Sequence, residues 1–79
     1  MKANVLIRLN EDVLDAGGRV LKQRLIELGF TEVRDARIGK VVELDLETSD
    51  KDAARERIQK MCEMLLVNGD VENAITLFE

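Results

Sequence analysis

The stretch VRDARIGKVVELDL, residues 33–46, constrains the fold more than any other part of the chain. Apolar and charged side chains alternate almost without a break, which is the mark of a strand with one face buried and one face wet. The alternation runs through a single glycine, Gly39, where a left-handed or bulged backbone is easiest. Residues 33–38 and 41–47 each suit a strand, so Arg37-Ile38-Gly39-Lys40 reads as the bend of a hairpin and not as a phosphate-gripping turn. Val42, Leu44 and Leu46 form the apolar face of the second of these strands, and Glu43, Asp45 and Glu47 its wet face. Acids at period two on one strand make a solvated face more readily than a hard-metal site.

The flanks of this hairpin are periodic in their turn. Ala3, Val5, Ile7 and Leu9 share one face of a first strand, with Lys2, Asn4 and Arg8 on the other and Leu6 as an apolar exception on that outer face. Asp15 is placed to cap a helix whose apolar stripe is Leu21, Leu25 and Leu28, and Gly29 is placed to end it. Ser49 with Asp52 three residues on resembles a capping box for a second helix, along which Ala54, Ile58, Met61, Cys62 and Leu65 recur at helical spacing. Asn68 and Gly69 stop that helix, and residues 71–78 suit a last strand. The order is strand, helix, strand, strand, helix, strand in one domain spanning residues 1–79. With right-handed crossovers it predicts an α+β, ferredoxin-like two-layer sandwich: a four-stranded antiparallel sheet with both helices on one face. The other face of the sheet then has no cover.

The chemistry open to these residues is narrow. There is no His, so His-based triads, His metal sites and His general bases are excluded. Cys62 is the sole cysteine; it can form no internal disulfide, it lacks the paired thiols of copper chaperones of related topology, and on the apolar stripe it reads as a small hydrophobe. Gly17, Gly18 and Arg19 at the start of the first helix could hold an anion on free N–H groups, although they complete neither a Walker motif nor a dinucleotide fingerprint. The acylphosphatase pattern Gly-Arg-Val-Gln-Gly is likewise not reproduced by Gly18-Arg19-Val20-Leu21-Lys22. RNA-binding domains of this topology stack bases on sheet aromatics, whereas the two aromatics here, Phe30 and Phe78, lie outside the central hairpin. No catalytic, cofactor-binding or metal-ligating residue is expected.

Net charge is −4, against a nucleic-acid partner, and no apolar run is long enough to cross a membrane. Residues 1–40 carry 8 Lys/Arg against 6 Asp/Glu, while residues 41–79 carry 4 against 10. Such polarity can steer docking between subunits. A chain of 79 residues buries a thin core, which makes a partner subunit plausible. Leu6, Ile26 and Val41 are apolar residues placed for contact with other chains, and Arg37 and Lys40 are the charged residues at the bend. A reducing compartment, the cytoplasm, fits the lone cysteine.

Several segments in order, at consistent spacing, resemble the PurS family, the small subunit of the multi-subunit phosphoribosylformylglycinamidine (FGAM) synthase of purine biosynthesis. They are Val13-Leu14-Asp15 with Gly18, Leu28-Gly29-Phe30, Val33 through Lys40 with Glu43-Leu44, and Met61-Cys62-Glu63 with Leu65-Leu66 and Asn68. The chain departs from the family pattern at Ala16, where proline is usual, and at Gly69, where the family tends to Asn-Pro. What the resemblance implies is a non-catalytic subunit, a homodimer or higher homo-oligomer, that bridges a glutaminase subunit (PurQ) and a large synthetase subunit (PurL) and assists ammonia transfer. ATP and Mg would be used by the large subunit and no cofactor would be bound by this one. A small-molecule-sensing regulatory module of the same topology is the alternative reading, with Gly17, Gly18 and Arg19 its strongest support.

Overall fold

The computed structural model describes residues 1–79. Its chain order is β1 (Lys2–Leu9), α1 (Ala16–Glu27), β2 (Gly39–Asp45), α2 (Lys51–Met61), a π-helical turn (Cys62–Leu66) and β3 (Glu72–Phe78). The three strands form one antiparallel sheet in the order β2-β1-β3. Val5 sits opposite Val42 on one side and Thr76 on the other, and Leu6 opposite Val41 and Ile75. The alternation in β1 therefore divides the sheet cleanly. Ala3, Val5 and Ile7 are buried beneath α2, against Ile58. Leu6 and its two cross-strand neighbours face the other way.

The expected four-stranded sheet is not formed. Residues 33–38 make no strand; the end of the segment is held instead by the loop that follows β1, through the Ile38 N–H and the Arg37 side chain. The Ile38 N–H donates to Asp15 Oδ2 at 2.7 Å, and Arg37 Nη2 donates to the carbonyls of Asn10 (2.9 Å), Val13 (3.2 Å) and Leu9 (3.4 Å). The hairpin bend predicted at residues 37–40 is absent for the same reason. Gly39 has no positive φ; only Gly29 does, at 105°. What Gly39 supplies is room, since a Cβ there would lie 2.6 Å from the Ile7 carbonyl oxygen across the ladder. The chain thus runs straight from residue 38 into β2.

Nor do both helices cover one face. Helix α2 packs on the sheet, but α1 makes no substantial contact with any strand or with α2. Leu21 and Leu28, predicted to face a core, are exposed, as are Leu14, Val20, Ile26 and Phe30. The molecule is accordingly elongated, 47 × 26 × 14 Å, with a radius of gyration of 15.8 Å, where a compact chain of this length has about 12 Å.

Local signals explain the helix ends. Asp15 caps α1 by accepting the Gly18 N–H at 2.8 Å. At the other end the N–H of Gly29 bonds the Ile26 carbonyl and that of Phe30 the Leu25 carbonyl, a Schellman closure around the left-handed glycine. Helix α2 is capped by Asp50, not by Ser49: the Asp50 carboxylate accepts from Asp52 and Ala53, while Thr48 Oγ1 accepts the Asp50 N–H. The stripe predicted to continue through Leu65 shifts to Leu66. The wide turn, closed by the Val67 N–H on the Cys62 carbonyl at 3.0 Å, holds more residues per turn than an α-helix. Four-residue steps from Ala54 through Ile58 and Cys62 therefore still bring Leu66 onto the core, and Met64 and Leu65 are turned outward, 86% and 84% exposed.

Candidate functional site

Two apolar surfaces lie outside the small core. The first is the face of the sheet opposite α2. Leu6, half-buried at the centre, is flanked in register by Val41 and Ile75, with Leu77 one step along β3 beside Asn4. Val41, Ile75 and Leu77 are each at least half exposed. Polar and charged residues rim this row: Lys2 opposite Asp45, Asn4 opposite Glu43, and Arg8 opposite Asn73. The second surface is α1 with its flanks, where Leu14, Val20, Leu21, Ile26, Leu28 and Phe30 all meet solvent.

Of the residues singled out from sequence, Leu6 and Val41 come together as direct cross-strand neighbours. Ile26 is exposed on α1, apart from them. Lys40 points to the α2 side of the sheet, since successive strand residues alternate faces, and its Nζ lies 3.9 Å from Glu72 Oε2. Arg37 is half-buried and one of its nitrogens serves the three carbonyls named above. Ile75 and Leu77 belong to the open face and went unassigned. Their signal was present in the period-two pattern of the last strand, in which Ala74, Thr76 and Phe78 take the inner face. Met64 and Leu65 could not be found that way, because a π turn has no simple spacing signature.

The Asp15 node organises the junction between the surfaces. One carboxylate oxygen caps α1 at Gly18 and the other holds the Ile38 N–H. These backbone hydrogen bonds, Ile38 foremost and then Gly18, push the Asp15 carboxyl below its ordinary value, with the nearby Arg37 charge adding to the effect. The same carboxylate occupies the place where an anion would meet the first N–H groups of α1. Gly18 is buried against the backbone of residue 36, and a Cβ there would overlap the Ala36 carbonyl oxygen. Beside this node, an open groove of about 810 Å³ runs between α1 and residues 11–15 and 35–37, lined by acids and cations in mixture.

On the other side of the molecule, Cys62 is half-buried and its thiol is pushed up by burial, with Glu63 reinforcing the shift. A thiol so placed is a weaker nucleophile, not an activated one. No group of three or more Cys, Asp or Glu side chains converges as a metal site. The Arg55 guanidinium stacks 5.0 Å from the centre of the Phe78 ring, joining α2 to β3.

This geometry defines a class: a small α+β protein whose pronounced features are uncovered apolar faces held in fixed register. The chain belongs to the PurS family, whose model, described as phosphoribosylformylglycinamidine (FGAM) synthase, matches residues 2–79. It is 40% identical over 72 residues to the phosphoribosylformylglycinamidine synthase subunit PurS of Bacillus subtilis, covering 91% of this chain and 84% of that one. Among solved structures it is similar to Methanocaldococcus jannaschii PurS, one of the subunits of formylglycinamide ribonucleotide amidotransferase in the purine biosynthetic pathway. There the TM-score is 0.89 at 29% identity, over 99% of this chain and 94% of that one. A chain in the structure of PurLQS from Thermotoga maritima superposes with a TM-score of 0.87 at 32% identity, over 96% of this chain and 93% of that one.

Proposed function

We propose that this chain is the PurS subunit of FGAM synthase in purine biosynthesis, acting as a connector: it pairs with a second copy and joins PurQ to PurL, while the chemistry takes place on those subunits. The observation that carries the reading is the amount of ordered apolar surface without cover in one copy, on the sheet face around Leu6 and along α1. Surface of this kind, rimmed by charge, marks contact with other proteins. Family membership and the likeness to a chain of PurLQS support the identity of the partners. In this reading ATP and Mg are bound by the large subunit, this chain binds no cofactor, glutamine-derived ammonia passes within the assembly, and the complex works in the cytoplasm.

The test is reconstitution. Purified chain is mixed with the glutaminase and large synthetase subunits of the same source and run on a sizing column. Co-elution, together with glutamine-dependent formation of the amidine that is lost when this chain is left out, is the expected result. Full glutamine-dependent activity without it would sink the proposal. Sedimentation of the isolated chain should give a dimer at micromolar concentration, and a monomer there would end the homodimer part.

A further inference from the structure

The turn that leads into β3 contains Asn68-Gly69, a pair the connector role does not use. Asparagine is chemically labile, most of all where the next residue has no side chain to shield its nitrogen. Of the four asparagines, Asn68 alone is exposed and alone precedes a glycine. Asn4 and Asn73 lie within strands and precede Val5 and Ala74, while Asn10, which precedes Glu11, has its Oδ1 bonded to Asn73 Nδ2 at 2.8 Å. We infer that Asn68 is a site of spontaneous modification, at which the Gly69 nitrogen closes on the side-chain amide and Asn68 becomes aspartate or isoaspartate.

Three hydrogen bonds favour the step. The Asn68 main-chain carbonyl accepts the N–H groups of Val71 (3.1 Å) and Glu72 (2.7 Å). When the Gly69 N–H of that same peptide group loses its proton, negative charge spreads onto this oxygen, so both donors stabilise the anion. The Gly69 N–H itself donates no hydrogen bond within the chain and is open to solvent base. The third bond runs from the Asp70 N–H to Asn68 Oδ1 at 3.2 Å. It folds the side-chain carbonyl back over Gly69, and its donor rests on the oxygen where charge develops as Cγ is attacked.

The atoms balance with water as the only co-reactant. The electron pair of the Gly69 nitrogen forms the bond to Asn68 Cγ, the Cγ–Nδ2 bond breaks, and ammonia departs with a proton from solvent. Water then opens the cyclic imide. Cleavage between Cγ and nitrogen gives aspartate; cleavage on the other side gives isoaspartate, with the main chain rerouted through Cβ. Either product adds a negative charge near Glu72, whose Oε1 accepts the Asn68 N–H at 2.8 Å and whose Oε2 lies 3.9 Å from Lys40 Nζ. Isoaspartate also moves the carbonyl that closes the turn off the main chain. The family tends to proline where this chain has Gly69, and a proline nitrogen has no proton to give. The modification thus belongs to this chain's own departure from the pattern.

The experiment holds the folded full chain in heavy-oxygen water at neutral and at mildly alkaline pH. Peptides are then mapped by mass spectrometry, and isoaspartate is read by enzymatic carboxyl methylation. Heavy oxygen is expected to enter at residue 68 faster than at Asn4, Asn10 or Asn73 by about tenfold or more, equivalent to about 1.4 kcal/mol of barrier. The rate should rise with pH, and isoaspartate should be among the products. Gly69→Ala should slow the reaction by about tenfold and leave the fold intact, because a Cβ there meets nothing within 4 Å and φ is not positive. Asn68 reacting no faster than the other asparagines, a rate unchanged by Gly69→Ala, or aspartate as the sole product, the mark of direct hydrolysis, overturns the proposal. Conversion seen only in urea overturns it too, since the folded turn then protects the amide.

Discussion

At the scale of single residues, three positions hold the junction between β1, α1 and β2, and each does so by a different physical means. Gly18 does it by lacking a side chain. Gly18→Ala forces its Cβ into the Ala36 carbonyl, and a loss of about 1–3 kcal/mol is expected from urea unfolding, the usual cost of overpacking. Arg37 does it by hydrogen bonding. Arg37→Met removes a donor shared by three carbonyls, of which that of Asn10 keeps the Val13 N–H, and should cost about 1–2 kcal/mol, read in the same way. Asp15 does it by charge and shape together. Its folded-state pKa is below the ordinary 3.8, so its contribution is complete above that value and disappears as the pH falls through the lower one. The amide shifts of Ile38 and Gly18 should therefore titrate together with a midpoint below 3.8; a midpoint at or above it would contradict the node.

At the scale of elements, the second helix shows how one widened turn changes which residues count. Residues 54, 58, 62 and 66 serve the core in four-residue steps, a spacing that drifts around an ideal α-helix by about 40° per step. The π turn at Cys62–Leu66 takes up that drift. Two substitutions one residue apart should consequently behave differently. Leu66→Ala is expected to lower stability by about 1–2 kcal/mol, under the full cost for a core leucine because Leu66 is half-buried. Leu65→Ala, at an outward position, should stay within about 0.5 kcal/mol. Equal effects at both would mean that the turn is α-helical in solution. Residues 33–38 make the complementary point: their alternation is strand-like, yet alternation specifies only which side chains share a face and not whether an edge is within reach.

At the scale of the whole molecule, the core is Ala3, Val5, Ile7, Ala54 and Ile58, very little for 79 residues. Stability that is completed by association depends on concentration. The midpoint of thermal unfolding should rise measurably over a hundredfold increase in protein concentration, and a midpoint independent of concentration would argue that one copy is self-sufficient. Val41→Glu and Leu21→Glu place charge on the two uncovered surfaces, where a single copy has nothing to lose. Each should leave the circular dichroism of the chain intact and weaken assembly, seen as a shift to later elution from a sizing column together with the partner subunits.

What the amino-acid sequence determined alone was everything that neighbours along the chain can settle. The Asp15 cap, the Gly29 stop, the inward set Ala3, Val5 and Ile7, and the apolar outward Leu6 and Val41 all follow from spacing and from residue chemistry within a turn or two. The segments around Asp15, Gly29 and residues 33–40 likewise sufficed to place the chain in its family. Tertiary structure decided the rest: that residues 33–38 bind the loop after β1 instead of β2, that α1 stands away from the sheet, and that Leu66 replaces Leu65 on the core. These choices weigh hydrogen bonds and contacts between residues far apart in sequence, such as Asp15 with Ile38 and Arg37 with Asn10. Local periodicity carries no information about which of two distant partners a backbone group will find.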